Sequence, residues 1–350
     1  MDIHNPEENQ DQLSFQKKVW IAASITAFIT VMLLFFTYTV NVLLLVLAGT
    51  LIAIFFRAIS SKIESKTKWK EGVCLTISII GTLLLVAAIF WLIGSKVQAQ
   101  VVELTETLPE TIENAQARLN ESAIGEKAVE RATSADAVSS MQSFAKRFFT
   151  STFGVFGDVY VVLFIAIFFT VAPRLYTGGF LKLIPPHGQE SAQNVLDKLH
   201  TNLRKWLKGK LISMTIVFGL TAIGLAIIGV ELWLVLALFA GLISFIPNFG
   251  PLLALIPAVL IGLMDSPQTA LLIVGLYALI QFIESNFITT LLQQKLVNMP
   301  PALILIAQLF MGSLVGGWGL VLATPVTLII MILVQELYIK PRDKEVTVKD

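Results

Sequence analysis

The chain has 350 residues, of which 55% are hydrophobic and 14% charged, and its 25 Lys and Arg against 24 Asp and Glu leave a formal net charge of +1. A soluble domain carries about 25% charged residues, so this composition excludes a water-soluble globule. The balanced charge also gives no concentrated basic face for nucleic-acid phosphates. Cys74 is the single cysteine, which excludes an intrachain disulfide framework and a cysteine zinc site. His4, His187 and His200 lie in polar stretches without ligand spacing. Neither a metal centre nor a cofactor is expected, and an enzyme is not the leading reading.

Residues 1–18 form a polar tail without the basic n-region and cleavage site of a secretory signal, so the first apolar helix is expected to stay in the mature protein. A bilayer core of about 30 Å takes about 20 helical residues to cross. Residues 19–40 and 41–56 are long enough for two spans joined by a tight turn near residues 39–41, and 73–93 supply a third, making 19–93 a first transmembrane group. Residues 94–147 are polar. Within them Leu104, Leu108, Ile112, Ala115 and Leu119 recur at helical spacing between glutamates, which predicts an amphipathic helical segment outside the membrane.

A fourth span over 148–172 carries Asp158 between Gly154, Gly157 and a hydrophobic run. Residues 173–210 follow as a cytoplasmic amphipathic segment. There Ala192, Val195, Leu196, Leu199, Leu203, Trp206 and Leu207 share one face and basic residues the rest, a pattern suited to the headgroup plane. The apolar C-terminal transport core, 211–337, divides into 211–230, 232–246, 251–264, 269–289, 302–315 and 320–337, and 338–350 are expected to form a cytoplasmic tail. Several of these pieces are short and rich in Gly and Pro, as re-entrant or broken helices are. The expected fold is an all-α polytopic membrane protein with about eight transmembrane or re-entrant helices, broken in its C-terminal half, plus the helical outside segment.

Basic residues mark the inner side of a membrane protein. All but six of the 25 fall in the N-terminal tail, 57–70, 174–210, Lys295 and the C-terminal tail, and the six are in 94–147. Alternating spans then place both termini in the cytoplasm.

Ionisable side chains inside hydrocarbon are costly, so each marks a candidate site. Glu284 stands among Gln281, Ser285, Asn286, Thr289, Gln293 and Gln294, oxygen-bearing residues at helical spacing in an apolar span. This run reads either as a place for a hard cation or proton, or as an interhelical hydrogen-bond patch. Asp158 reads first as structural, while Glu231 and Asp265 read as loop acids and Glu336 as a snorkelling residue at the end of the last span. Between residues 241 and 257, Pro247, Asn248, Gly250, Pro251 and Pro257 interrupt an apolar run. Missing N–H groups free carbonyls there, and Gly250 permits a sharp turn. Freed carbonyls could coordinate a solute, or the stretch could be a tight hairpin. Gly312 and Gly316 have the spacing of close helix packing, and Gly316, Gly317, Gly319 and Pro325 form a second candidate break.

The run into Trp206-Leu-Lys-Gly-Lys-Leu-Ile, the stretch Gly-Leu-Ile-Ser-Phe-Ile-Pro-Asn-Phe-Gly-Pro from Gly241, and Glu284-Ser-Asn-Phe-Ile-Thr with Leu291-Leu-Gln resemble, in order, the AI-2E (PerM) family of bacterial membrane transporters. So do Pro300-Pro-Ala, Gly316-Gly-Trp-Gly-Leu and Ala323-Thr-Pro. The resemblance covers nearly the whole chain; Thr290 differs, standing where the family has Pro. It implies a homo-oligomeric, multi-pass permease of the bacterial inner membrane that exports a small solute such as autoinducer-2, or alternatively exchanges Na+ or Li+ for H+. No GxxxxGK[ST] sequence is present to couple ATP. A different class, a membrane scaffold acting through 94–147, stays open beside transport. An intramembrane hydrolase is disfavoured by the lack of a histidine in any span.

Overall fold

The computed structural model describes residues 6–88, 91, 157–288 and 299–340, which are helices and their connections, with no strand among the described residues. The segment 94–147 and Thr289 lie outside them.

Helix α1 runs from Pro6 to Thr67 without interruption. The turn expected near residues 39–41 is absent. Thr39, Val40 and Asn41 have only mild helix-lowering effects, and no Gly or Pro stands there to end a helix whose flanks are strongly apolar. At 1.5 Å per residue α1 is about 93 Å long, three times the bilayer core. The inner placement of the N-terminus depended on a chain reversal at that point and loses its basis. Lys68, at φ 57°, ends α1 in the left-handed conformation that usually takes Gly, and its N–H donates to Glu64 O at 2.8 Å.

The next elements are α2 (Glu71–Ala88) and α3 (Gly157–Val171). At Pro173 the chain bends by 88° into α4 (Pro173–Lys182). Polar groups tie the first three helices together. Ser78 Oγ donates to Phe56 O at 2.7 Å, and Arg57 Nε donates to Thr170 O at 2.9 Å. Apolar burial drives little association where the solvent is itself hydrocarbon, so close backbone approach matters more. At Gly49 of α1 an added Cβ would lie 2.6 Å from Ile165 Cγ2 of α3.

Helix α5 spans Pro186–Ile228 and ends at Gly229, φ 86°. The basic amphipathic segment is therefore the first half of one helix whose second half is apolar. Its Trp206 is buried, edge-on to Phe245 with ring centroids 5.8 Å apart, so this ring packs inside the protein. Then come α6 (Trp233–Ile243), α7 (Phe249–Asp265) and α8 (Pro267–Ile283), which continues as one π-helical turn, Glu284–Ile288. The last pair is α9 (Pro301–Val315) and α10 (Gly317–Val334), the latter continuing as the π turn Gln335–Ile339.

Five described helices are long and apolar enough to cross a membrane, and the α3–α4 pair makes a bent sixth. Helices α6, α7 and α9 are apolar but shorter. The chain is thus an all-α multi-pass membrane protein with broken pieces where Gly and Pro cluster. Two packed cores form. One joins Leu44, Leu51 and Ile54 of α1 with Leu203 and Trp206 of α5, Ile304 of α9 and Leu322 and Leu328 of α10. The other joins Leu225 of α5 with Leu236, Ala254, Ala258, Ile273 and Tyr277 of α6–α8. Helix α5 belongs to both.

Candidate functional site

Midway along α5, where basic residues give way to apolar ones, Lys210 and Ser213 lie on one face and meet Glu284 at the end of α8. Lys210 Nζ is 3.7 Å from Glu284 Oε1, an ion pair rather than a hydrogen bond, and Ser213 Oγ donates to the same oxygen at 3.0 Å. The two charged side chains are only 10% and 9% exposed. Glu284 is also the first residue of the π turn. Such single turns reset the helical phase and recur at functional positions. Among the described residues of the polar run read from the sequence, Glu284 alone is buried. Ser285 and Asn286 are exposed, with Gln281 Nε2 donating to Ser285 Oγ at 3.1 Å and Asn286 Nδ2 to Phe282 O at 2.9 Å. These residues do not gather into one ligand set.

One turn before Lys210, Trp206 touches the α6–α7 break through Phe245. The break is a γ-turn. Phe249 N–H donates to Pro247 O at 2.7 Å across Asn248, whose φ of 64° and ψ of −49° are the rare, strained form for a non-glycine residue. Gln308, fully buried in α9, holds both sides of it. Its Nε2 donates to Pro247 O at 2.8 Å, and its Oε1 accepts from Asn248 Nδ2 at 3.1 Å. The freed carbonyl expected at this point is therefore satisfied by an amide from another helix. Gly250 does not make the sharp turn; it is needed because α6 passes close by, where a Cβ would stand 2.3 Å from Ile243 O.

Residues 24–339 match the sequence model described as "AI-2E family transporter". The chain belongs to the AI-2E transporter family. Among curated relatives, "AI-2 transport protein TqsA" of Escherichia coli (strain K12) is 23% identical over 287 residues, 78% of this chain and 80% of that one. "Putative transport protein YueF" of Bacillus subtilis (strain 168) is 26% identical over 254 residues, covering 67% and 68%. "Putative transport protein YrrI" of the same organism is 28% identical over 151 residues, a match spanning 43% of each chain.

In this AI-2E chain the other predicted break residues divide. Pro247 sits in the γ-turn and Pro251 in the first turn of α7, where a missing N–H costs nothing. Pro257 and Pro325 do not break helices, because α7 and α10 continue through them. Gly316, φ 69°, ends α9 and turns the chain into α10, with Gly317 as the first helical residue. The close packing expected of Gly312 and Gly316 is displaced to Gly319, whose added Cβ would be 2.1 Å from Met311 O. Asp158 is partly buried and accepts a hydrogen bond from Trp318 Nε1 at 2.8 Å, which ties α3 to α10.

Three contributors escaped the sequence reading: Lys210, counted with the cytoplasmic basic residues, Ser213 and Gln308. The available signal was a polar side chain inside an apolar run, Ser213 after Leu211-Ile212 and Gln308 within residues 302–315. Burying such a group without a partner costs roughly 1–3 kcal/mol, so its presence points to one.

Proposed function

We infer that this AI-2E chain is a secondary transporter of a small polar solute and that the Lys210–Glu284 pair beside the γ-turn is its working site. One observation carries the reading. A buried ion pair is often no more stabilising than apolar residues of the same volume, and ionisable groups within membrane helices mark substrate or ion paths. The pair sits where the broken α6–α7 hairpin meets α5, so movement of the hairpin would reach it through Trp206 and Phe245. Because TqsA is named an AI-2 transport protein, an autoinducer-2-like solute is the first cargo to try, with export from the inner membrane as the direction.

A second reading, exchange of Na+ or Li+ for H+, is supported by the same carboxylate. Among the described residues Glu284 has one buried neighbouring cation, Lys210, and a metal cation or proton that displaced that partner would be released when it returned.

Flux measured in proteoliposomes, with and without a sodium or pH gradient, tests both readings. Glu284→Gln keeps the shape and removes the charge, and a loss of about 10-fold or more in flux is expected from removing a transported-state interaction of about 1.4 kcal/mol. Unchanged flux of every solute and ion tested would overturn the assignment. Dependence on sodium in the absence of any organic cargo would favour exchange over solute export.

A further inference from the structure

The seam between α5 and α8 extends beyond the ion pair. Ser213 meets Glu284 at one level, and further along α5 an added Cβ at Gly224 would lie 2.3 Å from Leu276 Cδ1 of α8. The two helices therefore run antiparallel, and Thr221 falls level with Tyr277. Lys210, Ser213, Val217 and Thr221 follow one another by three or four residues on α5, as Tyr277, Gln281 and Glu284 do on α8, so each set lies on one helical face.

This seam carries unused hydrogen-bonding capacity. Four buried side-chain polar atoms lack a partner among the described residues, and three of them are Thr221 Oγ1, Tyr277 Oη and Gln281 Oε1. The fourth, Thr324 Oγ1, is on α10. Thr221 is 1% exposed and Tyr277 6%. A polar atom left unpaired in an apolar interior loses its hydration without replacement, and three on one interface would be a heavy burden on a marginally stable fold. Polar groups one helical turn apart are separated by about 5–6 Å, a gap that a single water spans when both sides offer partners.

We propose that the α5–α8 seam is a water-filled path, with Thr221, Tyr277 and Gln281 as its lining and Glu284 as its charged end. Its occupant is water, in single file between hydroxyl and amide groups. Through that water, a small polar species reaches the carboxylate from the middle of the membrane. The proposal rests on Glu284 as the working site, but it can fail separately.

Cysteine accessibility in the full chain, reconstituted in vesicles, tests it without any knowledge of the cargo. Cys74 is the single natural cysteine, so Cys74→Ala gives a background free of thiols. Thr221→Cys and Gln281→Cys are exposed to a small, cationic, membrane-impermeant methanethiosulfonate. The thiolate attacks the reagent sulfur, a disulfide forms and methanesulfinate leaves; intact mass reports the fraction modified. Only a hydrated thiol ionises readily, so the rate reports water. Ile273→Cys and Ala258→Cys, fully buried in the apolar core beside the seam, serve as dry controls. Modification at 221 and 281 at least about 10-fold faster than at the controls is expected. Equal rates at all four sites, in protein that remains monodisperse, would overturn the path. If Thr221→Cys fails to fold, Gln281→Cys decides by the same comparison. Slow labelling with flux still dependent on Glu284 removes the path and leaves the site; fast labelling with flux indifferent to Glu284→Gln does the reverse.

Discussion

Lys210 and Glu284 hold each other's charge in a place where neither would survive alone. Removing one partner of a buried pair leaves the other desolvated, at a cost of roughly 3–5 kcal/mol, whereas replacing both by apolar residues is often neutral. Lys210→Met should therefore lower the thermal midpoint in detergent sharply, and Lys210→Met with Glu284→Met should recover most of the loss. A double-mutant cycle showing additive effects would mean the two groups do not interact. At this scale the sequence was partly legible. A carboxylate at position 284 stands out in an apolar span, but its partner is 74 positions away and looks, in the sequence, like one more cytoplasmic lysine. Only helix packing distinguishes it.

Among the elements, the α6–α7 hairpin shows what a Pro- and Gly-rich stretch does and does not announce. That the chain breaks near residue 248 follows from Pro247 and Pro251, which cannot donate, and from the shortness of the flanking apolar runs. Which residue takes the positive φ, and what holds it there, does not follow. Asn248 takes it, and Gln308 of α9 holds it through two hydrogen bonds. Gln308→Leu should destabilise the fold by about 2–3 kcal/mol, since Pro247 O loses a partner inside the protein. Asn248→Gly should cost far less than Asn248→Val, because glycine adopts the positive φ freely and a β-branched residue does not. Thermal unfolding of the three variants ranks them, and a Val variant as stable as the Gly variant would refute the strained turn. Pro257 and Pro325 teach the opposite lesson: their helices continue because neighbouring packing holds the backbone on either side of the lost bond.

For the whole molecule, α1 and α5 organise the arrangement. Helix α5 enters both cores, so its position fixes the relation of the α1–α9–α10 group to the α6–α8 group. Continuity of α1 is open to direct measurement. With spin labels at Lys17→Cys and Lys62→Cys in the Cys74→Ala background, a continuous helix separates the labels by about 68 Å. A hairpin turned near residue 40 would bring the two within about 10–20 Å, the spacing of adjacent helices plus label arms. The short distance would restore the two-span reading of residues 19–56 and with it the inner N-terminus.

By itself, the sequence determined that this is an all-α membrane protein of the AI-2E type, where its apolar helices lie, where Gly and Pro interrupt them and that Glu284 is out of place in a span. These are local properties: hydropathy over about 20 residues, backbone freedom at single positions and the cost of one charge in hydrocarbon. The tertiary structure decided which polar groups meet. Lys210 and Ser213 with Glu284, Gln308 with Asn248, and Asp158 with Trp318 each pair residues from different elements. Partners so far apart in the chain are chosen by helix register and close packing, which no local pattern in an apolar sequence encodes.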